Sequence, residues 1–301
     1  MSQELISVVL CTYNGIRFIE DQLTSIQQQT YDKLEIIIVD DASTDGTFEW
    51  LENKTPEDDR IRLYKNNVNQ GFNFNFSKAC TYTSGNFISI ADQDDIWELN
   101  KLEILFEAIN KGEDVMLAHC ISARFEEQGK LHLQSHKIIN HFSGNDGRQF
   151  FLANIISGHN MLIKRNLLDV AVPFPNDGYY DWWLVMHACC LGQIKAVEKI
   201  LVWHRVHDSN ATGAAKPEVR FYKFTQINMP LLLSIKKMPD KYRRFGQKLL
   251  ALYNEFPEKK FSYELFFFLL QNARIIFAHK KRTFPWLSYV KHSYRYSKAS
   301  F

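Results

Sequence analysis

Residues Phe87–Trp97 read FISIADQDDIW, and this stretch decides the fold. An apolar run typical of a buried strand ends in three carboxylates within four residues. An unpaired carboxylate is expensive to bury, so the acidic residues are expected just beyond the strand, at its carboxyl end. In an open α/β sheet, that end of the strands forms the crevice in which ligands bind.

The three carboxylates, Asp92, Asp94 and Asp95, repel one another unless a positive charge lies between them. A hard divalent cation supplies that charge, and such a cation also binds the phosphates of a substrate. Helix capping is the alternative, with Asp94 or Asp95 at the start of a helix predicted from about Ile96 to Leu105. Because a cap accounts for one aspartate and not for three, the cluster favours a metal–diphosphate site.

Charge is divided unevenly along the 301 residues, although the formal net charge is only +2. Residues 212–301 contain 18 Lys and Arg against 5 Asp and Glu, a balance of +13, whereas residues 1–211 have a balance of −11. This asymmetry predicts two regions with different roles, an acid-rich domain at 1–213 and a basic, aromatic helical region at 214–301.

The five cysteines are odd in number and show no C-x-x-C spacing, which indicates reduced thiols in a cytosolic protein. The apolar segment Leu5–Cys11 has no basic residue before it, which argues against a signal peptide. The later run Leu265–Leu270 is far too short to span a membrane. We therefore expect a cytoplasmic protein, with peripheral contact at the inner face of the cell membrane as an option.

Strand and helix patterns alternate along the first hundred residues. Leu5–Cys11 and Leu34–Val39 are apolar runs typical of buried strands, and apolar residues recur at helical spacing from Ile16 to Ile26. This succession predicts a βαβ unit, and hence an α/β fold with a mostly parallel sheet flanked by helices. The polar loops that follow the strands are then expected at one sheet edge; the alternative is that they contain ordinary loop-forming residues.

Three segments, VVLCTYNG at 8–15, VDDASTDGT at 39–47 and ADQDDIW at 91–97, resemble family 2 glycosyltransferases in their order and spacing. The DQDDIW form is similar to the branch of bacterial rhamnosyltransferases and of O-antigen and capsule enzymes. The resemblance covers roughly residues 5–213 and implies an inverting, nucleotide-sugar-dependent enzyme with the Rossmann-like GT-A fold. It places a nucleotide-binding half at about 1–97 and an acceptor half at about 98–213.

The resemblance also implies roles for individual residues. Asp41 would accept a hydrogen bond from the pyrimidine N3–H. Asp92, Asp94 and His207 would bind Mg²⁺ or Mn²⁺, which neutralises the departing nucleoside diphosphate. Asp95 stays open between a metal ligand and a helix cap. The whole set of positions implied to hold the nucleotide sugar is Thr12, Tyr13, Asn14, Asp41, Asn69, Gly71, Asn75, Asp92, Gln93 and Arg205.

An inverting transfer needs a general base that takes the proton of the acceptor hydroxyl. The segment 178–184 resembles an acidic motif of the family at the start of a helix, so Asp181 is the predicted base and Asp177 the second candidate. The alternative for Asp181 is an N-cap of a helix predicted at Trp182–Leu191. Trp182 and Trp183 are candidates for stacking on sugar rings or for core packing.

The segment from Arg205 to Gly213 matches an Arg-x-His pattern of the family, and in it Arg205 would pair with phosphate. His204 stands where an aromatic residue is usual, a departure that is expected to affect only local packing. His132 and His136 are spaced i and i+4, but solvated loop histidines explain them better than a metal site does.

The basic region contains no further motif. Its apolar residues predict helices at about 241–253 and 263–278, and a first helical pattern that is broken at Pro230. The mixture of cations and aromatic residues suits an anionic membrane surface, where each cation contributes about 1 kcal/mol. The alternative is a helical appendage packed on the acid-rich domain. Peripheral membrane contact through 217–301 is therefore one of two expectations.

Two other functions fit the sequence less well. A non-catalytic nucleotide-binding protein with a nucleic-acid-binding tail would leave the carboxylate cluster unexplained, so no nucleic acid partner is expected. A nucleotidyl transferase needs a Gly-rich cationic loop after the first strand, and the first cation here is Arg17. The prediction is an inverting, metal-dependent glycosyltransferase. It would move a sugar from a nucleotide-diphosphate sugar to a glycan or lipid-linked acceptor in bacterial surface polysaccharide synthesis.

Overall fold

The computed structural model describes residues 4–126, 131–132 (backbone only), 139–208 and 220–301. Within these residues nine strands form one sheet. The strands are β1 (Ile6–Thr12), β2 (Leu34–Asp40), β3 (Ile61–Lys65), β4 (Phe87–Ala91), β5 (Ile96–Trp97), β6 (Val115–Glu126), β7 (Leu131–His132), β8 (Met161–Lys164) and β9 (Gln193–Val206).

Helices cover both faces of the sheet and extend beyond it at the C-terminal end of the chain. They are α1 (Ile19–Gln27), α2 (Thr47–Lys54), α3 (Phe72–Thr81), α4 (Lys101–Ile109), α5 (Arg165–Ala171), α6 (Tyr180–Leu191), α7 (Phe221–Leu233), α8 (Asp240–Tyr253), α9 (Tyr263–Gln271), α10 (Ala273–Ile276) and α11 (Pro285–Tyr296). The α/β class predicted from the alternating pattern is confirmed.

The buried strands are apolar on both sides because helices cover both sides. In β1 and β2, successive residues point to opposite faces, so Val9 and Ile37 enter one hydrophobic cluster while Val8 and Ile36 enter the other. All four side chains are fully buried. These strands therefore need a continuous apolar run. A sheet with one face in solvent would show alternating apolar and polar residues instead.

The strand order is β3-β2-β1-β4-β8-β6-β9-β5, with β7 paired to β6. Strands β1 to β4 are mutually parallel, β8 is antiparallel to β4 and β6, and β9 is parallel to β6. β5 and β7 are likewise antiparallel to their neighbours β9 and β6, but only β8 lies in reverse orientation between two parallel strands, and this position has a direct consequence. The beginning of β8 and the end of β9 both lie at the sheet edge where β1, β2 and β4 end, so five segments converge there.

The helix predicted from Ile96 is wrong, and with it the capping role of Asp94 and Asp95. Ile96 and Trp97 form β5, which pairs antiparallel with Trp203 and Val202 of β9, and α4 begins only at Lys101. Trp97 is 2% exposed. Burial of this large ring against the sheet outweighs the helical pattern of the following residues, and it leaves the aspartates in a loop between two strands.

The predicted break at Pro230 is also wrong, since α7 runs through it to Leu233. The segment 263–278 divides at Asn272 into α9 and α10. The helices after residue 220 share one hydrophobic cluster with the sheet and α6, in which Met229, Leu249 and Leu265 are fully buried. The domain boundary predicted at 213/214 lies outside the described residues and stays a prediction. In the described part of the chain, every helix is too short or too polar to cross a membrane.

Glu35 of β2 provides a test of the fold. Its carboxylate accepts hydrogen bonds from Ser7 Oγ at 2.6 Å and from the Ser84 backbone N–H at 2.6 Å. Burial raises its pKa, but the hydrogen bonds from Ser7 and Ser84 outweigh burial and lower it below 4.5. Glu35→Gln should lower the free energy of unfolding by about 1 kcal/mol at neutral pH, because the donors from Ser7 and Ser84 then bond a neutral amide oxygen instead of a carboxylate.

The pH dependence of that loss has a definite sign. A lowered folded-state pKa means that the ionised group stabilises the fold above pH 4.5 and ceases to do so as the pH falls below it. Urea unfolding of both proteins should therefore give a difference that shrinks in acid. Glu107→Gln, on the exposed side of α4, is the control. An equal loss in both variants would contradict the assignment.

Candidate active site

The loop after β1 is fixed to the loop after β2. Thr12 Oγ1 donates to Asp40 Oδ2 at 2.8 Å, and Ser43 donates to the same carboxylate through its backbone N–H and its hydroxyl, at 2.9 and 2.6 Å. The Asn14 N–H donates in turn to Ser43 Oγ at 2.8 Å. Asn14 has a positive φ of 49°, a conformation that asparagine tolerates better than most residues.

Gln93 joins this loop to the carboxylate loop. Its side-chain Oε1 accepts a hydrogen bond from the Tyr13 backbone N–H at 2.9 Å, and its Nε2 donates one to the Tyr13 carbonyl at 3.0 Å. Gly15 makes room for it, since a Cβ there would lie 2.2 Å from Gln93 Oε1. Tyr13 itself remains 46% exposed. The predicted donor residues 12–14 and 93 are thus brought together as one surface, with the Tyr13 ring in solvent.

Asp41 shapes a second loop. Its carboxylate accepts the Asn66 side chain at 2.7 Å and the backbone N–H groups of Gln70 and Gly71 at 2.9 Å each. The side chain is 3% exposed, and Gly71 has a φ of 83° that favours glycine. In this structure Asp41 thus anchors the loop at 69–71, and its predicted contact with a pyrimidine stays a prediction.

Asn75 supports the same loop from below. Its side chain donates to the Val39 carbonyl at 3.0 Å and accepts from Asn66 at 2.9 Å. Asn69 accepts the Gly71 N–H at 3.1 Å. Asn75 is 2% exposed, so its role in the described structure is to position the loop rather than to present an amide to a ligand.

Asp92 and Asp95 are neutralised by histidine. His159 Nδ1 lies 2.8 Å from Asp92 Oδ2 and 3.3 Å from Asp95 Oδ2. His204 Nδ1 lies 2.9 Å from Asp95 Oδ1, and the two imidazole rings stack with centroids 5.1 Å apart. Burial lowers the pKa of His159, but Asp95 and Asp92 outweigh burial and raise it to about 9. His159 is therefore an imidazolium at neutral pH.

Lys101 lies beneath this network without forming an ion pair with it. The side chain is fully buried, Nζ donates to the His159 carbonyl at 2.7 Å, and the ammonium lies over the Trp97 ring. Burial lowers the Lys101 pKa to about 7. The hydrogen bond fixes the backbone at His159, at the point where the chain enters β8.

Asp94 faces His207. Its Oδ2 lies 2.8 Å from His207 Nε2, and the His207 ring packs on Phe18 with centroids 4.4 Å apart. Burial, Asp92 and Asp95 raise the pKa of Asp94. Neighbouring ligand atoms of an octahedral Mg²⁺ or Mn²⁺ site are about 3 Å apart, given bonds of about 2.1 Å. The two atoms fit such a site, and the excess negative charge at Asp94 favours a cation there.

A second group with metal-ligand chemistry, Asp95, His159 and His204, has its candidate atoms within 4.8 Å of one another. His159 in this group is an imidazolium, and an imidazolium does not coordinate a metal. We therefore assign the neutralisation of this buried group to the His159 proton. The prediction that Asp92, Asp94 and His207 bind metal remains a prediction for the more open side of the loop.

Arg205 holds the carboxylate loop against α1. Its Nε donates to the Asp94 carbonyl at 3.0 Å, and its Nη2 donates to Asp21 Oδ2 at 2.7 Å. The guanidinium also lies over the Phe18 and Phe125 rings, 5.1 and 4.7 Å from their centroids. The predicted pairing with phosphate stays a prediction. The part of the matched segment that contains Asn210 and Gly213 lies outside the described residues.

Asp181 lies in the first turn of α6. The helix begins at Tyr180 with Tyr179 at the N-cap position, so the alternative of Asp181 as N-cap is wrong. Burial raises the Asp181 pKa to about 6, although the hydrogen bond from the Trp182 N–H lowers it, and the charges of Asp92 and His159 act on it. The carboxylate therefore lies within electrostatic range of the Asp92 end of the cluster.

The backbone before Asp181 is fixed from α3. The Asn73 side chain donates to the carbonyls of Pro175 and Gly178 at 2.9 and 3.0 Å, and it accepts the Tyr180 N–H at 3.3 Å. Gly158 leaves space for the Tyr180 ring, since a Cβ there would lie 2.1 Å from the Tyr180 hydroxyl. Asp181 thus has a fixed position relative to the segment that contains His159.

The two tryptophans after Asp181 serve packing. Trp182 Nε1 donates to the Phe150 carbonyl at 2.6 Å, and its ring stacks on Phe224. Trp183 Nε1 donates to the Ala171 carbonyl at 2.9 Å. Both indole N–H groups are thus occupied by the protein. His132 lies in β7 and His136 outside the described residues, so the expectation for that pair is untested.

Sequence reasoning missed His159 and His204 as members of the site. His204 was expected to affect only packing, whereas it bonds Asp95. A signal was present, since three carboxylates in four residues require cations, and few Lys or Arg lie in the segments predicted to meet them. Histidines at two such segments are the side chains that contact the carboxylates, and His159 carries the positive charge.

Two solved structures share the fold of this chain. Staphylococcus aureus TarS in complex with UDP-GlcNAc has a TM-score of 0.65 at 18% identity, over 90% of this chain and 81% of TarS. The Pyrobaculum calidifontis mannosyltransferase PcManGT, solved with GDP-Man and Mn²⁺, has a TM-score of 0.59 at 16% identity, over 98% and 85% of the two chains. The fold is that of the GT-A glycosyltransferases.

The sequence profile of "Glycosyl transferase family 2" matches residues 7–171, more than half of the chain, so the chain belongs to that family. A Campylobacter jejuni relative, GalNAc(5)-diNAcBac-PP-undecaprenol beta-1,3-glucosyltransferase, is 31% identical over 166 residues, which are 54% of this chain. The chain spans about half the length of the curated relatives it matches, 53% in this case. The family resemblance noted in the sequence is confirmed.

His159 yields a stability prediction. Its pKa is raised from 6.5 to about 9 in the folded protein, so its charge stabilises the fold fully below pH 6.5, and this contribution is lost as the pH rises through 9. His159→Gln keeps a donor but removes the charge. It should cost about 3 kcal/mol below pH 6.5, since each pKa unit corresponds to about 1.4 kcal/mol.

Urea unfolding in the presence of a chelator, from pH 6 to 10, measures this difference. The matched control is His187→Gln, because His187 is equally buried but bonds the Trp183 carbonyl instead of a carboxylate. A His159→Gln deficit that stays constant across this range would show that the imidazolium does not neutralise the cluster.

Proposed function

We propose that this chain is an inverting, metal-dependent hexosyltransferase that uses a nucleotide-diphosphate sugar. The observation that supports this most is the convergence at one sheet edge. Asp92 and Asp94 follow β4, His207 follows β9, and Asp181 lies at the start of α6 within electrostatic range of Asp92. This convergence supports a donor site next to a general base.

Asp181 is the general base in this proposal. Its ionised carboxylate takes the proton from the acceptor hydroxyl while the oxygen attacks the anomeric carbon of the donor. The bond from that carbon to the diphosphate oxygen breaks, and the configuration inverts because attack and departure occur on opposite faces. A pKa of about 6 gives a base that is largely ionised at neutral pH and still basic enough to accept a proton.

The donor is held by the loops after β1, β2 and β4. The exposed ring of Tyr13 stacks on the base, while the loop from Asn69 to Gly71, positioned by Asp41 and Asn75, borders the ribose. Asp92, Asp94 and His207 would hold the cation, which supplies charge to the leaving diphosphate. Arg205 keeps the Asp94 backbone in place, and Asp177 is the second candidate for the base.

The proposed acceptor is a glycan or lipid-linked glycan of a bacterial surface polysaccharide. The C. jejuni relative is named for a glucosyl transfer to an undecaprenyl-diphosphate-linked acceptor, which supports this class for the present chain. We propose that the protein acts in the cytoplasm at the inner face of the cell membrane, where such a lipid is accessible.

Nucleotide binding tests the donor site. Thermal unfolding is measured with UDP, dTDP, GDP and ATP, each with and without Mn²⁺. One nucleoside diphosphate is expected to stabilise the protein by about 2.7 kcal/mol at 100 times its dissociation constant, and only with the metal. Asp94→Ala should abolish the shift, and Asp59→Ala, exposed in the loop before β3 at the opposite sheet edge, should not. A metal-independent shift that survives in Asp94→Ala would exclude the proposed metal site.

Activity tests the base. Asp181→Asn should lower turnover by about 10²–10⁴-fold, the usual contribution of a general base, while the nucleotide-induced thermal shift persists. In the wild type, kcat/KM should fall as the pH drops below about 6, because protonated Asp181 cannot accept the hydroxyl proton. Asp177→Asn is the control, since Asp177 is exposed in the loop before α6. If Asp177→Asn loses turnover and Asp181→Asn retains it, Asp177 is the general base and Asp181 is not.

A further inference from the structure

The C-terminal helices expose a row of large apolar side chains next to cations. Phe284, Trp286 and Leu287, at the beginning of α11, are 71, 63 and 67% exposed. Such residues are normally at least half buried, and single exposed ones need no explanation. Three exposed apolar side chains within four positions form a patch, and such a patch indicates an interaction site.

The exposed patch continues along α11 into a cleft. Leu287, Lys291 and Tyr294 follow one another at helical spacing on the solvent side, whereas Ser293, on the opposite side, is fully buried. Tyr294 lines a cleft of about 590 Å³ together with Lys298 and Ser300, which follow α11. The rest of the lining comes from α9 and the residues before it, namely Lys260, Phe261, Tyr263, Phe266 and Phe267. We call this surface the aromatic ridge. It comprises the solvent-facing residues of 284–298 and the residues that line the cleft.

Several other aromatic side chains of the ridge are exposed to solvent. Tyr263 is 73% exposed, Phe267 56% and Tyr294 50%. Lys298 Nζ lies 4.0 Å from the centroid of the Tyr294 ring, so a cation and an aromatic face are presented together. Phe261 and Tyr294 pack with centroids 5.4 Å apart, which makes the cleft wall continuous with α11.

The charge around the ridge has one sign. Residues 260–301 contain eight Lys and Arg and a single acidic residue, Glu264. Glu264 is already paired with Lys248 at 2.5 Å. The segment just before α11 contributes three consecutive cations, Lys280 to Arg282, of which the last two are exposed. The field outside the ridge is therefore positive, and it attracts an anionic partner.

We propose that the aromatic ridge is the surface by which the protein docks on an anionic lipid bilayer. A bilayer is the partner that uses both kinds of side chain at once. Trp and Tyr favour the interfacial region, Leu287 and Phe284 favour the acyl boundary, and cations are attracted by anionic headgroups. Nucleic acid would use the cations and the aromatic rings but gains little from an exposed leucine.

This docking rests on the proposed function, because a lipid-linked acceptor is presented at a bilayer. It extends the earlier expectation for 217–301 by naming the face that makes contact. The face is formed by the exposed sides of α9 and α11, whose opposite sides pack into the core as α7 and α8 do. Docking and nucleotide binding involve different residues, so each can fail without the other.

The test is flotation of the full chain with vesicles of phosphatidylcholine alone or mixed with phosphatidylglycerol. The wild type should bind only the mixed vesicles. Trp286→Ser with Leu287→Ser should weaken that binding at least about tenfold. Lys281→Ser with Lys291→Ser should weaken it about thirtyfold at low salt, at about 1 kcal/mol for each cation. The matched control is Val170→Ser with Ile227→Ser, two apolar side chains that are 41 and 62% exposed elsewhere.

A second measurement locates the contact. Brominated acyl chains should quench tryptophan fluorescence in the wild type, and the quenching should largely disappear in Trp286→Phe while flotation persists. All variants should keep the nucleotide-induced thermal shift, which shows that they are folded and that the donor site is intact.

Three results would overturn the docking proposal. One is equal binding to both vesicle types, or no binding to either, by a wild type that binds nucleotide. Another is loss of flotation in the control pair to the same degree as in the ridge variants. The third is that Trp286→Ser with Leu287→Ser leaves vesicle flotation unchanged but shifts the sedimentation coefficient from that of a dimer to that of a monomer, or abolishes DNA binding. Failure of nucleotide binding alone would refute the proposed function and leave docking standing.

Discussion

The structure of the site depends on neutralising three carboxylates that follow one another at the end of β4. Each has a counterpart from a different part of the chain. Asp92 and Asp95 share the His159 imidazolium, Asp95 also bonds His204, and Asp94 bonds His207. Removing one partner from such a buried pair is far more costly than the pair is stabilising. The electrostatics of one tetrapeptide therefore fixes where β8 must begin and where β9 must end.

Much of this architecture could be predicted from the sequence, because the controlling features are local. Apolar runs in β1, β2 and β4 identify buried strands, and polar residues directly after them identify the edge. Trp97 shows where local reasoning fails: the residues after Asp95 have helical spacing, but pairing with β9, about a hundred residues later, makes them a strand. His204 shows the same limit, because its bond to Asp95 depends on that long-range pairing.

The individual roles of the donor residues were harder to predict than their location. Asp41, Asn75 and Gln93 all lie at the predicted edge, yet the described contacts of all three are to the protein's own backbone or to neighbouring amides. Motif resemblance identifies which residues a family retains near a site. It does not distinguish a side chain that contacts the ligand from a side chain that positions the ligand-binding loop, because both lie near the site.

The antiparallel strand β8 has one more consequence. It hydrogen-bonds to β4 on one side and to β6 on the other, so the two predicted halves of residues 1–213 belong to a single continuous sheet. Hinge bending between the halves would have to tear backbone ladders apart. Whatever adjustment accompanies catalysis is therefore confined to loops and side-chain rotamers. The spacing between Asp92 and Asp181 then depends on how α6 packs on this sheet and on the Asn73 bonds that fix the backbone before α6, so the sheet acts as a rigid frame for both residues.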